Sequence, residues 1–282
     1  PGYGNSGFLT AQVRHNLTAK TVEAFVGLAW YDTHVTGGVH TYANGLFTLN
    51  GSEAFTVDAV LSDRAGNASF NFGWNGKDLT KAGTGTLTLT MANDYTGKTM
   101  LNGGTLALSG TGSIAASSGL EITAGSFTIA GASGTVNLKS LKGAGSVVLG
   151  DNNLSVNAGN YTGVISGNGG LTISGDGANV FTLGGVNTYE GATTINGGSL
   201  MLAQENAIAQ SSLVDLQQGA ITATANQSFV SLKTAQGTTV DFNNSGGTDY
   251  NLALGIAEIA GILQNVNHLS IGAGSINGTL TN

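Results

Sequence analysis

Cysteine is absent from the 282 residues, and proline occurs only once, at Pro1. The lack of cysteine excludes disulfides, thiolate catalysis and cysteine-ligated metals. Because proline cannot donate a hydrogen bond to a strand ladder, its scarcity favours a sheet in which nearly every strand is internal. The chain also opens without an initiator methionine, which predicts a segment of a longer protein.

Charge is scarce as well, at 9% of residues against about 25% in an average soluble domain. The 9 basic and 16 acidic residues give a net charge of −7, so the basic stripe of a nucleic-acid-binding protein is missing. No cluster of Lys and Arg exists to hold an anionic membrane, and no apolar run reaches the roughly 18 residues of a membrane-spanning helix. Since 40% of the residues are hydrophobic, we expect the chain to fold.

What the chain does contain is glycine, 46 residues of it, between short alternating runs. In the run 86–91, TLTLTM, leucine and methionine share one face of a strand and threonine the other. Such runs are about three to five residues long and are separated by Gly, Asn or Asp. The pattern predicts many short strands, each with one buried face, and no helices.

The alternating runs belong to an internal repeat. The stretch NDYTGKTMLNGGTLAL, residues 93–108, aligns with NTYEGATTINGGSLML, residues 187–202, at an offset of 94 residues. Upstream, LTKAGTG at 79–85 pairs with LTISGDG at 171–177, so the second copy carries a two-residue insertion. Repetition of this kind is typical of solenoids.

A solenoid of stacked coils explains the composition better than its alternatives do. Stacked coils bury a continuous row of Leu, Ile and Val, and they leave threonine and asparagine outside. Like charges would repel if they were stacked in register at about 4.8 Å, which fits the scarcity of charge. We expect roughly 20 to 25 residues per coil. A β-sandwich, with Asn-Gly-Gly forming hairpin turns, is the alternative fold.

The first copy of the repeat resembles the autotransporter-associated β-helix repeat of Gram-negative type V secreted passenger domains. The family's pattern is Leu-Thr-Lys, a Gly-x-Gly-Thr-Leu strand, Asn-x-Tyr-x-Gly-x-Thr and Asn-Gly-Gly-Thr-Leu. The matching residues are Leu79, Thr80, Lys81, Gly83, Gly85, Thr86, Leu87, Asn93, Tyr95, Gly97, Thr99, Asn102, Gly103, Gly104, Thr105 and Leu106. In the second copy Ile173 replaces the lysine and Asp176 the first threonine.

This resemblance implies an all-β fold, a right-handed parallel β-helix, displayed on the bacterial cell surface or secreted. It also implies transport by a C-terminal outer-membrane β-barrel that lies outside this sequence. We expect residues 53–282 to form the β-helix, with repeats near 79–110 and 171–202. Residues 1–52 match no known pattern, and we expect an atypical segment there that either caps the helix or joins it.

Aromatic residues provide the candidate binding sites. The segment 22–42 concentrates them, and Trp30, Tyr31 and Tyr42 are of the types favoured at binding hot spots. The alternative is a terminal cap whose aromatics close the core. Tyr95 and Tyr189 occupy matching repeat positions. We expect them to pack or to clamp a turn with the hydroxyl at the surface, and stacking on carbohydrate is their other possible use.

Metal and catalytic sites are not expected. His34 and His40 would share one face of a continuous strand, but no further metal-binding pattern accompanies them. Asp151 and Asp176 would meet only if they stacked one coil apart, and both stand in turn sequences where aspartate caps its own backbone. No cofactor, metal or enzymatic activity is therefore predicted.

The function that follows is bacterial adhesion or self-association through the faces of the β-helix. The expected partners are a host cell surface, extracellular matrix or glycan, or identical passengers on neighbouring cells. A different class of function is a stalk that presents another domain, or a segment that assists folding of the passenger. A glycan-active β-helix enzyme is a third reading, although the chain has only two arginines, Arg14 and Arg64.

Overall fold

The computed structural model describes residues 45–58, 60–63, 76–242 and 250–281, together with the backbone of four short strands before residue 45. The described residues form strands and turns without a helix, and the chain divides into two compact units, 1–139 and 140–282. Each unit is a solenoid of parallel strands, which confirms the all-β solenoid prediction.

Twelve strands lie wholly in the first unit. They are β1 (Arg14–Asn16), β2 (Thr21–Glu23), β3 (His34–Thr36), β4 (Val39–Thr41), β5 (Leu46–Thr48), β6 (Ala54–Val57), β7 (Leu79–Ala82), β8 (Thr86–Leu89), β9 (Lys98–Leu101), β10 (Thr105–Gly110), β11 (Gly119–Ile122) and β12 (Ser126–Ala132). Strands β6, β8, β10 and β12 pair side by side in parallel, and so do β5, β7, β9 and β11. Two antiparallel pairs precede them, β1 with β2 and β3 with β4.

Strand β13 (Val136–Gly143) contains the boundary, and the second unit holds the remaining strands. They are β14 (Ser146–Val148), β15 (Leu154–Tyr161), β16 (Val164–Gly167), β17 (Leu171–Ile173), β18 (Val180–Leu183), β19 (Thr188–Tyr189), β20 (Thr193–Leu202), β21 (Val214–Ala223), β22 (Gln227–Thr234), β23 (Thr239–Asp241), β24 (Tyr250–Ile259), β25 (Ile262–Gln264), β26 (Val266–Ile276) and β27 (Thr279–Thr281). All registered pairs within this unit are parallel.

The core of each unit consists of inward apolar columns. In the first unit Leu87, Leu106 and Phe127 stand opposite one another on neighbouring strands, and all three are fully buried. In the second unit Leu171 stacks in the same way on its neighbour Leu154. The alternation of leucine with threonine therefore does what the sequence predicts: it separates a dry interior from a polar outer face.

Coil lengths are less uniform than expected. Thr86, Thr105 and Ser126 are aligned, so the coils there contain 19 and 21 residues. Leu154 pairs with Leu171, which gives a coil of 17 residues. The expected lower bound of roughly 20 residues is therefore wrong for several coils, because glycine corners allow the strands to follow one another with almost no loop.

Asn-Gly-Gly forms a corner of the solenoid and not a hairpin. Residues 102–104 join β9 to β10, which pair with different neighbours and not with each other. Gly104 has a φ of +65°, and a Cβ there would overlap the Gly85 carbonyl oxygen of the preceding coil. Its counterpart Gly198 has a φ of +66° and the Asn179 carbonyl oxygen close by. The second glycine of the motif is thus required by both its backbone angle and its neighbour.

The proposed division at residue 52 stays a prediction. Strand β5 lies inside the segment 1–52, yet it pairs in parallel with β7 of the solenoid. Strand β2 likewise pairs in parallel with β6.

Candidate interaction surface

The predicted site residues of segment 22–42, namely Trp30, Tyr31 and Tyr42, lie outside the described residues. His34 and His40 belong to two different strands, β3 and β4, in which Val35 is the partner of His40. The premise that both histidines lie on one continuous strand is therefore wrong. In the described part of the chain, no three His, Asp or Glu side chains gather as a metal-binding group.

Tyr95 is a core residue, and its hydroxyl group begins a chain of hydrogen-bonded, buried hydroxyl groups. Its ring is 0% exposed, and its hydroxyl lies 2.6 Å from Thr99 Oγ1. Thr99 donates to Ser117 Oγ at 3.0 Å, and Ser117 donates to the Gly97 carbonyl oxygen at 2.7 Å. Because each hydroxyl has one proton, the remaining donor must be Tyr95, and the proton order runs from tyrosine to the carbonyl.

Tyr189 repeats this arrangement in the second unit. Its hydroxyl lies 2.6 Å from Thr193 Oγ1, Thr193 donates to Ser211 at 2.9 Å, and Ser211 donates to the Gly191 carbonyl oxygen at 2.9 Å. Burial raises the pKa of Tyr95 and Tyr189 above the ordinary value, against a smaller opposing effect of the threonine hydrogen bond. The expectation of a surface hydroxyl is wrong, and neither ring presents a face on which a sugar could stack.

The asparagine two residues before each tyrosine ties three successive coils together. Asn93 accepts a hydrogen bond from the Leu61 backbone N–H at 2.9 Å. Its amide nitrogen donates to the carbonyl oxygens of Met91 and Ser113, at 2.9 and 3.0 Å. Leu61 belongs to the preceding coil and Ser113 to the following one. We call the Asn, Tyr, Thr and Ser set of one repeat the buried clasp.

Asn187 makes the same bonds in the second copy. It accepts from the Ile165 backbone N–H at 2.9 Å and donates to the carbonyl oxygens of Gly185 and Ala207, at 3.0 and 2.9 Å. Both asparagines are buried, at 5% and 1% exposure, and the amide of each is satisfied on both sides. The Asn-x-Tyr-x-Gly-x-Thr spacing of the repeat is therefore the sequence of a structural hydrogen-bond network.

Sequence reasoning missed a third member of this series. Gln227 is 2% exposed and accepts from the Ala207 backbone N–H at 3.1 Å. Its amide nitrogen donates to the carbonyl oxygens of Gln204 and Ala225, at 2.8 and 3.3 Å. Gln227 thus links its own coil to the preceding one, whereas Asn187 also reaches the following coil. No tyrosine or glycine follows it at the repeat spacing, so the pattern gave no signal.

Lys81 of the Leu-Thr-Lys motif is a buried cation held by carbonyl groups. It is 0% exposed, and its ammonium donates to the carbonyl oxygens of Ala82, Gly83 and Gly103, at 2.7, 2.9 and 3.1 Å. Burial lowers the pKa of Lys81 to about 8. Gly103 belongs to the next coil, so this lysine joins two coils at the corner that Ile173 fills with a buried apolar side chain in the second copy.

The two aspartates that sequence reasoning paired lie at separate turns. Asp151 accepts a hydrogen bond from Asn168 at 2.7 Å, and Asp176 accepts one from Asn179, three residues along its own turn, at 2.7 Å. Asp176 does lie at a turn, but its carboxylate binds the Asn179 side chain and not the backbone that it was predicted to cap. Asp151 instead links its turn to the following coil. The two carboxylates therefore stand in different turns and have different hydrogen-bond partners.

The outer side of β6, β8, β10 and β12 is a continuous hydroxyl-bearing surface, which we call the hydroxyl face. Its residues are Thr56, Thr86, Thr88, Thr105, Ser126 and Thr128. All six are half-buried and stand in two columns. Neighbouring positions are separated by about 4.8 Å between strands and roughly 6.6 Å along a strand.

Among the described residues, the hydroxyl face carries no charge in its two columns. Ala54 and Ala107 fill the two remaining positions of the columns, so no charged side chain interrupts them. Within the described residues, the hydroxyls of Thr86, Thr88 and Thr105 make no hydrogen bond to the protein. Each can therefore donate and accept toward a partner at the surface.

The second unit has an outward column of a different kind. Its residues stand in register on successive strands: neutral hydroxyl residues come first, then three charged residues of alternating sign, then a serine. They are Ser155, Thr172, Thr194, Asp215, Lys233, Glu258 and Ser275. Because Lys233 separates Asp215 from Glu258, no like charges are adjacent in this column.

The described residues also include no helix long and apolar enough to span a membrane.

Two comparisons with known proteins bear on this surface. The family model described as Passenger-associated-transport-repeat matches residues 79–108 and 176–202. The Adhesin BmaC autotransporter of Brucella suis biovar 1 (strain 1330) is 33% identical over 183 residues, which is 58% of this chain and 5% of that protein. The chain therefore spans a small part of the length of this relative. Both matched ranges contain the Asn, Tyr and Thr of the buried clasp and the Asn-Gly-Gly corner, whereas the serines of the clasp, Ser117 and Ser211, follow them on the next coil.

The buried clasp predicts a large cost for Asn187→Ala. The change leaves the Ile165 N–H and the carbonyl groups of Gly185 and Ala207 without their partner inside the protein, and we expect a loss of about 3 kcal/mol in the free energy of unfolding. Asn196→Ala, at an exposed asparagine of the same repeat, is the control and should change it by less than about 0.5 kcal/mol. Urea unfolding of both variants measures the difference, and equal losses would contradict the role of the clasp.

Lys81 predicts a dependence of stability on pH. Its pKa is about 8 in the folded chain against an ordinary 10.5, so the unfolded chain binds more protons between these values. Stability conferred by this group therefore rises as the pH increases from 8 toward 10.5. The free energy of unfolding of the wild type, minus that of Lys81→Met, should increase by on the order of 1 kcal/mol from pH 7.5 to pH 9.5. A difference that stays constant over this interval would show that Lys81 is not a buried cation.

Proposed function

We propose that this chain, an autotransporter passenger with β-helix repeats, mediates bacterial adhesion or self-association through the outer faces of its coils. The repeats and the relative give it a location at the cell surface or outside the cell. The observation that carries the proposal is the hydroxyl face: an uncharged, in-register array of side chains that can donate and accept hydrogen bonds.

The hydroxyl face suits many weak contacts better than one strong contact. A single exposed hydrogen bond contributes only about 1 kcal/mol, because water competes for both partners. An array with a fixed spacing allows several such bonds to form together, with the threonine methyl groups packed between them. Many copies on one cell then convert weak contacts into firm attachment through avidity.

The proposed partners are a host cell surface, extracellular matrix or glycan, or identical passengers on neighbouring cells. Glycans and threonine columns both present hydroxyl groups, which are donors and acceptors at once. The name of the relative, an adhesin, supports the same class of function. We assign the chain no catalytic role, and the net charge of −7 disfavours a nucleic-acid partner.

The alternative class of function is a stalk or a folding-assisting segment that binds nothing itself. The clasp and the core would then be the only essential features of the chain. The aromatic residues Trp30, Tyr31 and Tyr42 are a second proposed attachment site. A glycan-active enzyme is disfavoured, because the acidic residues are scattered along the sequence and Asp151 and Asp176 stand in different turns.

The test is a bead assay with a triple variant of the hydroxyl face. Thr86→Val, Thr88→Val and Thr105→Val remove three hydroxyl groups while they keep the shape and strand preference of the side chains. Beads coated with the wild-type chain should clump or attach to host cells, and this variant should reduce either response at least several-fold. Clump size and the number of attached beads are the measurements.

The control carries the same chemistry at other outward threonines. Thr80→Val, Thr172→Val and Thr194→Val change three half-buried residues of β7, β17 and β20 and should leave the response intact. Loss of attachment on substitution of Trp30 and Tyr31, with the hydroxyl-face variant unaffected, would assign the site to the aromatic segment. Wild-type beads that neither clump nor attach would contradict adhesion and favour the stalk.

A further inference from the structure

The Asn-Gly pairs of this chain differ in whether their glycine nitrogen is engaged. Asparagine before glycine is prone to lose its side-chain amide in water, because glycine has no Cβ to keep its backbone nitrogen away from the asparagine side chain. A hydrogen bond from that N–H opposes the reaction, since it must be broken before the nitrogen can attack. Among the described residues the pair occurs at 50–51, 102–103, 168–169, 196–197 and 277–278.

Three of these pairs have a glycine N–H that is bonded to a neighbouring coil. The bonds run from Gly51 to Thr84 Oγ1 at 2.7 Å, from Gly169 to the Gly150 carbonyl oxygen at 2.9 Å and from Gly278 to the Ile259 carbonyl oxygen at 2.9 Å. In each pair the nitrogen that would attack the asparagine is therefore held by the stacking of the coils.

The pair at the corner between β9 and β10 has a free nitrogen and a polarised amide. Asn102 is exposed, and the Gly103 N–H makes no hydrogen bond within the described part of the chain. The Thr123 hydroxyl of the next coil lies 2.9 Å from Asn102 Oδ1, closer than its other acceptor, the Leu101 carbonyl oxygen at 3.3 Å. A donor on Oδ1 stabilises the negative charge that develops there when a nucleophile attacks Cγ.

The matching pair of the second copy lacks this hydroxyl group. Asn196 is exposed as well, but Asn196 and Gly197 lie inside strand β20. Gln217 occupies the position that corresponds to Thr123, and its amide nitrogen donates to Asp215 at 2.7 Å. The first copy alone therefore combines a free glycine nitrogen outside a strand with a hydroxyl donor on the asparagine.

We propose that Asn102–Gly103 is a site of spontaneous modification, at which water converts Asn102 to aspartate and isoaspartate. The Gly103 nitrogen gives up its proton to a base and forms a bond to Asn102 Cγ. The Cγ–Nδ2 bond then breaks, and the nitrogen leaves as ammonia after it takes a proton from water. The five-atom ring places the two reacting groups within one dipeptide, so no second reactant has to be oriented.

Water opens the resulting cyclic imide in one of two ways. Cleavage of the bond between the Gly103 nitrogen and Cγ gives aspartate with a normal main chain. Cleavage of the bond to the main-chain carbonyl carbon gives isoaspartate, in which the main chain runs through Cγ. Either product has consumed water, released ammonia and gained a carboxylate at an exposed corner.

The isoaspartate product disturbs the corner that holds Lys81. The Gly103 carbonyl oxygen accepts a hydrogen bond from the Lys81 ammonium at 3.1 Å. Isoaspartate lengthens the main chain immediately before Gly103 and shifts this carbonyl group, so the buried ammonium loses an acceptor. Aspartate adds the negative charge without this shift. The modification is independent of adhesion, and failure of the bead assay would leave it untouched.

Peptide mapping by tandem mass spectrometry tests the site on the full chain, after incubation at neutral pH and body temperature. The tryptic peptide between Lys98 and Lys139 contains this Asn-Gly pair and no other. Asn102 should convert at least tenfold faster than Asn50, Asn168 and Asn277, and faster than Asn196. In the urea-unfolded chain, where the coil hydrogen bonds are lost, all five should convert at similar rates.

Thr123→Val removes the donor on the amide oxygen and should slow the conversion of Asn102 at least twofold. Thr111→Val, at another exposed threonine of the same unit, is the control and should leave the rate unchanged. Asn102 that stays intact in the folded chain while the unfolded chain reacts would overturn the proposal. Conversion of Asn168 or Asn277 as fast as Asn102 would overturn it too, and an unchanged rate in Thr123→Val would contradict the role of the hydroxyl.

Urea unfolding tests the consequence for the Lys81 corner. Anion exchange separates the aged chain from the fresh chain by its added negative charge. The aged fraction that contains isoaspartate should unfold at a lower urea concentration than the fresh chain. Asn102→Asp carries the charge on a normal main chain and should unfold with the fresh chain. Equal midpoints for the fresh and aged chains would contradict the link to Lys81, as would an equal loss in Asn102→Asp.

Discussion

Register between parallel coils is the constraint on which the rest of this molecule depends. Each residue stands opposite its counterpart on the next coil at about 4.8 Å, so a property placed at one position is brought against the same position again and again. Apolar residues gain from this arrangement, as Leu87, Leu106 and Phe127 show. Like charges and proline lose from it, which accounts for the composition of the chain.

The same constraint decides how polar groups enter the interior. A buried asparagine is tolerated because coils on both sides offer it backbone groups at fixed positions, as with Asn93 and Asn187. Lys81 is tolerated because three carbonyl oxygens converge at its corner. The repeat recurs after 94 residues because the same buried hydrogen-bond network, the buried clasp, is built in both copies.

The strands and the core could be predicted from the sequence, since alternation of leucine and threonine has only one physical reading in a chain that must bury its leucines. The place of the tyrosine hydroxyl could not be. Thr99 lies four residues beyond Tyr95, but Ser117 comes from the next coil, and only the coil length brings the three together. Gln227 was missed for the same reason: its partners lie 20 and 23 residues away, and it belongs to no recognisable motif.

The chemical character of the candidate surface could be predicted from the sequence, but the positions of its residues relative to one another could not. Alternation showed that threonines would face outward, and the register shows that Thr86 and Thr105 are neighbours in one column. Because that column is neutral, the proposed adhesion depends on hydrogen bonds and packed methyl groups and not on charge.

The most direct measurement is attachment of coated beads as a function of salt, from about 0.05 M to about 0.5 M. Screening weakens contacts between exposed charges over this range and leaves contacts between neutral groups nearly unchanged. If neutral contacts make the attachment, it should stay constant or rise slightly at high salt. A steep loss of attachment with added salt would contradict this prediction and would assign adhesion to the charged residues of the chain.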